Sequence, residues 1–466
     1  MRCTRDRRFN GDIHVRHSRL CSTTLGVLSA IALSGHARIA ASQPSNPGFV
    51  IAHVRVFDGR QSHTDRNVVI VGGRIQAVVE SLDAWRHLPV VDGTGATLIP
   101  GLIDAHSHTQ NVTDLQQALR FGVTTVLDMF TDPAVEQGLR DAAKRRVDVA
   151  DFRSAGVLAT APGGHGTEYG IAIPTVARAS DAEAFVAARK AGGSDYLKIV
   201  LNGVRAARGT PTLDAATATA LVRAAHSRGM VAVAHVESTE DVRIAVSSGV
   251  DGLAHIWREG GAAPDIAELV ARKNVFVIPT LATPEGFVKN SGVSLANDSR
   301  LRPFLSDTII ALLSGSAKGP VIEDFKPFLD AVGSLRAADA LVLAGSDVPN
   351  AITAHGVSLH RELELLVRAG LTPTEALAAA TANVAVAFKI PDRGMIAPGC
   401  RADLVLVRGD PTSDIMATRD ILRVWRSGVE FDRRATPAEA KSREPSIPAA
   451  KASSDLPAES TLTVCR

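Results

Sequence analysis

Aromatic residues make up only 4% of this 466-residue chain, and its formal net charge is only +2. No basic run is interleaved with aromatics, so the contacts of a nucleic-acid surface are missing and nucleic acid is not expected as a partner. Cysteine is scarce too: Cys3, Cys21, Cys400 and Cys465 form no Cys-x-x-Cys motif, which argues against a thiolate metal site. The glycine-rich stretch Pro162-Gly-Gly-His165-Gly-Thr-Glu168-Tyr169 lacks the Gly-Lys-Ser/Thr ending of a phosphate cradle. The apolar run Leu25–Leu33 is too short to span a bilayer, so no stable membrane insertion is expected.

What the chain does have is 45% hydrophobic residues, enough for the core of a large enzyme, and an ordered set of metal-binding residue types. The first is the pair His106-x-His108, closing Leu98-Ile-Pro-Gly-Leu-Ile-Asp-Ala-His106. Alternation along a strand sends residues two apart to one face, so both rings can point at one ion. Fourteen histidines would produce about 0.4 such pairs by chance, so the pair needs support. It comes from Lys198 inside Asp195–Leu201, His235 ending Val231–His235, His255 ending Gly252–His255 and Asp347 ending Leu341–Asp347. These short apolar runs read as strands buried on both faces. An ionisable group buried there is costly, and a metal centre would compensate all of them together. Lys198 as an ion-pair partner and Asp347 as a loop cap are the ordinary alternatives.

Helical patterns separate these runs. Leu213–Arg228 carries an apolar stripe ending before Gly229, and Ser238-Thr-Glu-Asp241 fits a capping box ahead of Val242–Ser247. Eight strands are expected near 98–106, 124–129, 152–159, 195–201, 231–236, 252–256, 275–281 and 341–347. The expected fold class is α/β: a (β/α)8 TIM barrel over 98–390, with reactive groups at the carboxyl ends of its strands. A small discontinuous β-sandwich domain is expected from both chain flanks, 49–97 and 394–432. Its strands would lie in Val50–Phe57, in Asn67–Val79 with a Gly-Gly turn, in Asp403–Arg408 and in Ile421–Val429.

The set His106, His108, Lys198, His235, His255, Asp347 resembles the amidohydrolase superfamily, in particular its imidazolonepropionase-like and Xaa-Pro dipeptidase-like branch. The resemblance runs from about residue 50 to 430. It includes His355-Gly-Val-Ser-Leu-His360-Arg-Glu-Leu-Glu364 and Gly394-Met-Ile-Ala-Pro-Gly-Cys-Arg-Ala-Asp-Leu-Val-Leu406. It implies two divalent metal ions, one held by His106, His108 and Asp347 and the other by His235 and His255, with Lys198 bridging them as a carbamate. Burial favours a neutral lysine, and two cations would stabilise the carbamate anion. Histidine and carboxylate ligands suit Zn2+, while manganese, cobalt and iron also fit by ligand type. The implied chemistry is attack by a metal-bridging hydroxide, with Asp347 as the catalytic proton acceptor and donor. Amide or peptide bonds of small molecules, such as N-acyl amino acids or Xaa-Pro dipeptides, are the leading substrates. A lactonase or arylesterase, a single-metal cyclic-amide hydrolase or deaminase, and a non-catalytic assembly relative are the alternatives.

His165 and Tyr169, in the glycine-rich loop, and His355 are candidates for substrate contact. His355 and His360 read otherwise as helix-capping or surface residues, and His226 as solvent-facing. Residues 1–41 read as an export signal, with a basic front, an apolar core and Ile39-Ala-Ala41 for cleavage. A periplasmic or secreted location is therefore expected, with a cytoplasmic one as the alternative. Cys400 and Cys465 are candidates to pair in an oxidising compartment. The tail, 436–466, is poor in large apolar residues and expected to be disordered. Assembly as a homo-oligomer stays open.

Overall fold

The computed structural model describes residues 48–259 and 261–434. The signal expected over 1–41, the tail from 436 and Cys465 lie outside the described residues. Cys400 is buried and disulfide-bonded, and every other cysteine lies outside that range. No helix among the described residues is long and apolar enough to cross a membrane.

Five strands open this part of the chain: β1 (Phe49–Phe57), β2 (Ser62–Val71), β3 (Arg74–Val79), β4 (Val90–Asp92) and β5 (Ala96–Pro100). β2 and β3 join through Gly72–Gly73, whose φ values of 58° and 77° suit a two-residue turn between right-twisted strands. Next come β6 (Leu102–Ser107), β7 (Val123–Asp128) and β8 (Asp151–Ser154), all parallel. β9 (Leu197–Val200), β10 (Ala232–His235), β11 (Gly252–Ala254) and β12 (Phe276–Ile278) form a second parallel set.

Parallel bridges link the two sets into a ring. Ala159 pairs with Ile199, Val342 with Val277, and Val348 with Ser107. The eighth stave is thus the segment 341–348. It is irregular rather than the regular strand expected there, and it is held by bonds such as Leu343 N to Val277 O at 2.8 Å and Ala105 N to Ala344 O at 3.0 Å. The fold is a (β/α)8 barrel. Its connections carry the expected helices: Ala215–His226 starts at an Asp214 cap, and Thr239–Ser248 starts at a reciprocal Ser238/Asp241 capping box.

The chain then returns to the first sheet with β13 (Leu404–Arg408), β14 (Ile421–Arg426) and β15 (Val429–Phe431), giving eight strands from both flanks in the order β15-β14-β13-β5-β1-β2-β3, with β4 on β1. Alternation explains why β13 is apolar over Leu404–Val407. Leu404 and Leu406 pack with Ile51 and Val54, while Val405 and Val407 join the core shared with the barrel.

Two expected strands are each divided in two. The run 98–106 breaks at Gly101, so residues 98–100 pair with β13 and residues 102–106 enter the barrel. A Cβ at Gly101 would stand 2.2 Å from Thr124 Oγ1, so the crossing from one sheet to the other needs glycine. Ile421–Val429 is a hairpin, not one strand, turning at Ser427 and Gly428 with φ of 52° and 72°.

Candidate metal centre

His106 lies in β6, with His108 just beyond it. Lys198 is the second residue of β9, His235 ends β10, and His255 follows β11. Asp347 sits in the eighth stave, where its N–H donates to the His106 carbonyl at 2.7 Å. The barrel therefore brings all six expected residues to one rim. Asp347 Oδ1 is 3.2 Å from His106 Nε2 and 3.1 Å from His108 Nε2, and Asp347 Oδ2 is 3.8 Å from His255 Nδ1. Ring centroids of His106 and His255 are 4.7 Å apart, and those of His255 and His235 are 4.6 Å apart. Lys198 is buried within electrostatic reach of Asp347 and of all four rings.

The protonation states suit a cation. Burial, with the Lys198 charge next, pushes the His106 pKa down to about 3, and burial likewise brings His235 to about 4 and His255 well below 6.5. Burial lowers Lys198 to about 7 against the pull of Asp347. His108 moves the other way: burial lowers it, but its bond to Asp347 and the charges of Asp347 and Asp128 together outweigh that and raise it. Asp347 stays well below the ordinary carboxylate range because His106 and its neighbours outweigh its own burial. The donor set is thus mostly neutral nitrogen around one ionised carboxylate. His106 Nδ1 and Lys198 Nζ are buried without a hydrogen-bond partner, and His106 Nε2 faces the Asp347 carboxylate at 3.2 Å. A buried polar atom left unpaired costs about 1–3 kcal/mol, and a bound cation would remove that cost. Imidazole, carboxylate and amine-derived donors fit a divalent metal.

The backbone is strained at the same place. His255 and Asp347 adopt φ of 75° and 53°, in the left-handed region that ordinary residues avoid. Such outliers persist where the surroundings over-determine them, often at functional sites.

The loop residues fall beside this cluster. The His165 ring is 5.1 Å from that of His235 and 5.9 Å from that of Tyr169, which is 56% exposed. His165 Nδ1 pairs with Glu168 at 2.5 Å. His355 is buried within electrostatic reach of His108, with Nε2 3.7 Å from Asp114. His360 is not a surface or capping residue: it is buried, its ring nitrogens 2.9 Å from the Phe121 carbonyl and 3.0 Å from Thr418 Oγ1. His226, half exposed and 2.8 Å from Asp251, faces solvent as expected.

Several neighbours went unread in the sequence. The buried Asp104 carboxylate accepts from the backbone N–H groups of Ser346 at 2.9 Å and His106 at 3.2 Å, tying the eighth stave to β6. The Asn202 amide is 3.2 Å from His235 Nε2, and Glu237 Oε1 is 3.5 Å from the same atom. Asp104 precedes His106 by two, Glu237 follows His235 by two and Asn202 follows Lys198 by four, so strand alternation carried a signal for each.

Residues 97–430 match the amidohydrolase family. The chain belongs to that family. Ochratoxinase of Aspergillus niger is 26% identical over 218 residues, which are 45% of this chain and 40% of that protein. Adenine deaminase 2 of Rhizobium etli is 27% identical over 349 residues, 73% of this chain and 50% of that protein. The matched stretches span half or less of these two relatives. The crystal structure of a Xaa-Pro dipeptidase with bound methionine in its active site superposes with a TM-score of 0.66 at 21% identity, covering 83% of this chain and 100% of that one. The A. niger ochratoxinase structure gives 0.64 at 19% identity, covering 82% and 95%. At such identities these two structures describe a shared fold.

Proposed function

We propose that this amidohydrolase is a metal-dependent hydrolase that cleaves amide or peptide bonds of small substrates, N-acyl amino acids or Xaa-Pro-type dipeptides. The convergence of four imidazoles, one carboxylate and one unpaired buried amine at the barrel rim carries this reading. His106, His108 and Asp347 would hold one divalent ion, most suitably Zn2+, and His235 and His255 a second. Lys198 would bridge the two as a carbamate. When bound, such ions bring the pKa of water from about 15.7 to about 7 and polarise a carbonyl.

The chain's own groups account for the proton traffic. The Asp347 carboxylate stays ionised, the form that accepts a proton from the attacking water and returns it to the departing nitrogen. With its pKa near 7, Lys198 is substantially neutral, so its lone pair can attack carbon dioxide. An N–C bond forms and one N–H proton leaves, giving the carbamate. His165, Tyr169 and His355 would contact the substrate, since they flank His235 and His108.

Xaa-Pro dipeptidase and ochratoxinase support the hydrolytic reading through fold, and ochratoxinase also through sequence. The match to adenine deaminase 2 over 73% of this chain favours a deaminase as the second reading. A lactonase would use the same site. Elemental analysis of the purified protein and a screen of N-acyl amino acids, Xaa-Pro dipeptides, lactones and adenine separate these readings. Two metal equivalents with amide turnover are expected; turnover of adenine alone or of lactones alone overturns the amidase assignment. Lys198→Ala is expected to bind one equivalent fewer, and unchanged metal content in that variant removes the bridge.

A further inference from the structure

The stretch His355–Glu364 belongs to the motif set, yet the proposed chemistry uses only its first residue. We propose that Glu362 is a positioning residue for the metal site, fixing the turn after β12 that orients the His255 ring. The inference rests on the metal-centre reading above. Glu362 lies on the helix Val357–Arg368 and is fully buried. Its Oε1 accepts the Leu281 N–H at 3.0 Å and its Oε2 accepts the Ala282 N–H at 2.8 Å. The preceding residue, Thr280, places Oγ1 2.8 Å from His255 Nδ1. With Thr280 Oγ1 as acceptor, Nδ1 carries the proton and the Nε2 lone pair is left for a cation. Three residues after Thr280, Thr283 Oγ1 donates to the Ser346 carbonyl at 3.3 Å, next to Asp347. One turn therefore braces both the β11 side and the eighth-stave side of the site.

This turn does not hold itself. Thr280 is β-branched and has φ of 52°, a conformation such residues adopt only when their surroundings impose it. The two bonds from Glu362 fix the peptide groups that follow. Both carboxylate oxygens act as acceptors, so a glutamine would aim its NH2 at a backbone N–H and lose one bond. Burial pushes the Glu362 carboxyl up while the two N–H donors oppose that, because only the carboxylate offers both oxygens as acceptors; a purely apolar helix face would avoid this burial cost.

The test measures Zn2+ affinity by chelator competition, with Tm recorded in parallel, for the wild type, Glu362→Gln, Thr280→Ala and Thr280→Ser. Glu362→Gln and Thr280→Ala are expected to lose about 10–100-fold in Zn2+ affinity, the usual effect of removing a group that orients a ligand, while Thr280→Ser, which keeps the hydroxyl, restores it. The double variant Glu362→Gln/Thr280→Ala is expected to bind no worse than Glu362→Gln alone, because both act through one ring. A lowered Tm with wild-type Zn2+ affinity in Glu362→Gln would reduce Glu362 to a structural residue and overturn the proposal. If that variant does not fold, equal affinities for Thr280→Ala and Thr280→Ser overturn the link to His255. A wild type that binds no stoichiometric Zn2+ sinks the metal-centre reading itself, an outcome distinct from the other two.

Discussion

Two clusters of buried charge lie at opposite ends of the barrel strands and are built on opposite terms. At the start of β8, Asp151 faces Arg401 at 2.9 Å, Arg426 at 3.7 Å and a still closer Arg393, and these cations hold its carboxyl far below the ordinary range despite burial. Arg401 also binds Asp403, and Arg426 donates to the carbonyls of Ala143 and Arg146, so the flank sheet is fastened to the barrel there. At the carboxyl ends, the Lys198 amine and His106 Nδ1 have no hydrogen-bond partner. The first cluster sets three guanidiniums against carboxylates and backbone carbonyls, with Arg426 Nε left unpaired, whereas the second gathers mostly neutral nitrogens around one ionised carboxylate. Burial, charge and an unpaired nitrogen occur at both; what marks the rim is its donor set, mostly neutral nitrogen with one ionised carboxylate, which suits a cation.

The largest effect that would sharpen this contrast is on turnover. Asp347→Asn is expected to lower kcat/KM by about 10²–10⁴-fold on whichever substrate the screen identifies, because the proton acceptor is gone. Its circular dichroism should match the wild type. Wild-type turnover in that variant would remove Asp347 from the chemistry. At the seam the expectation reverses. Asp151→Asn leaves three guanidiniums facing one another and should cost about 3 kcal/mol of stability, read by urea unfolding, with activity per folded molecule unchanged. A seam variant that kept full stability but lost activity would break the comparison.

Lys198 gives the next smaller effect, with the opposite sign. In metal-free protein its amine is a buried group without a partner, so Lys198→Met should stabilise the fold by about 1–3 kcal/mol while removing the bridge between the metals. Urea midpoints of metal-stripped wild type and variant decide this. A destabilised variant would mean that the amine has a role in the apo fold.

Much of this contrast could be read from the sequence, for a simple physical reason. The rim residues end or interrupt apolar runs, and a period of two ties Asp104 to His106 and Glu237 to His235. Thr280 and Glu362 gave no such signal. Thr280 lies past the end of β12 in a left-handed turn, and Glu362 sits on a helix whose buried face is otherwise largely apolar, its partners two backbone N–H groups about 80 positions away. The eighth stave was found as an apolar run, but its irregular path depends on bonds to β6 and β12 that no local pattern encodes. His360 was read as a surface residue or helix cap for the same reason: one of its partners is a carbonyl 239 residues earlier.

His360 also supplies the smallest test, because it is buried as deeply as His106 and yet both its ring nitrogens have partners. Burial, followed by Arg419 and Arg433, brings its pKa from 6.5 to about 3, against the opposing bond to the Phe121 carbonyl. The unfolded chain takes up this proton near 6.5 and the folded chain only near 3, so between those values the unfolded state binds more protons and acid destabilises the fold. The contribution of His360 is level above 6.5 and declines by up to about 1.4 kcal/mol per pH unit below it. His106 and His235 shift the same way, so the measurement is a difference: urea midpoints of metal-free wild type and His360→Gln from pH 7 to 4. The wild type should lose ground to the variant steadily as pH falls. A gap that stays constant would mean that His360 takes up its proton in the folded state as readily as in the unfolded chain, and that depth of burial alone does not depress a histidine in this barrel.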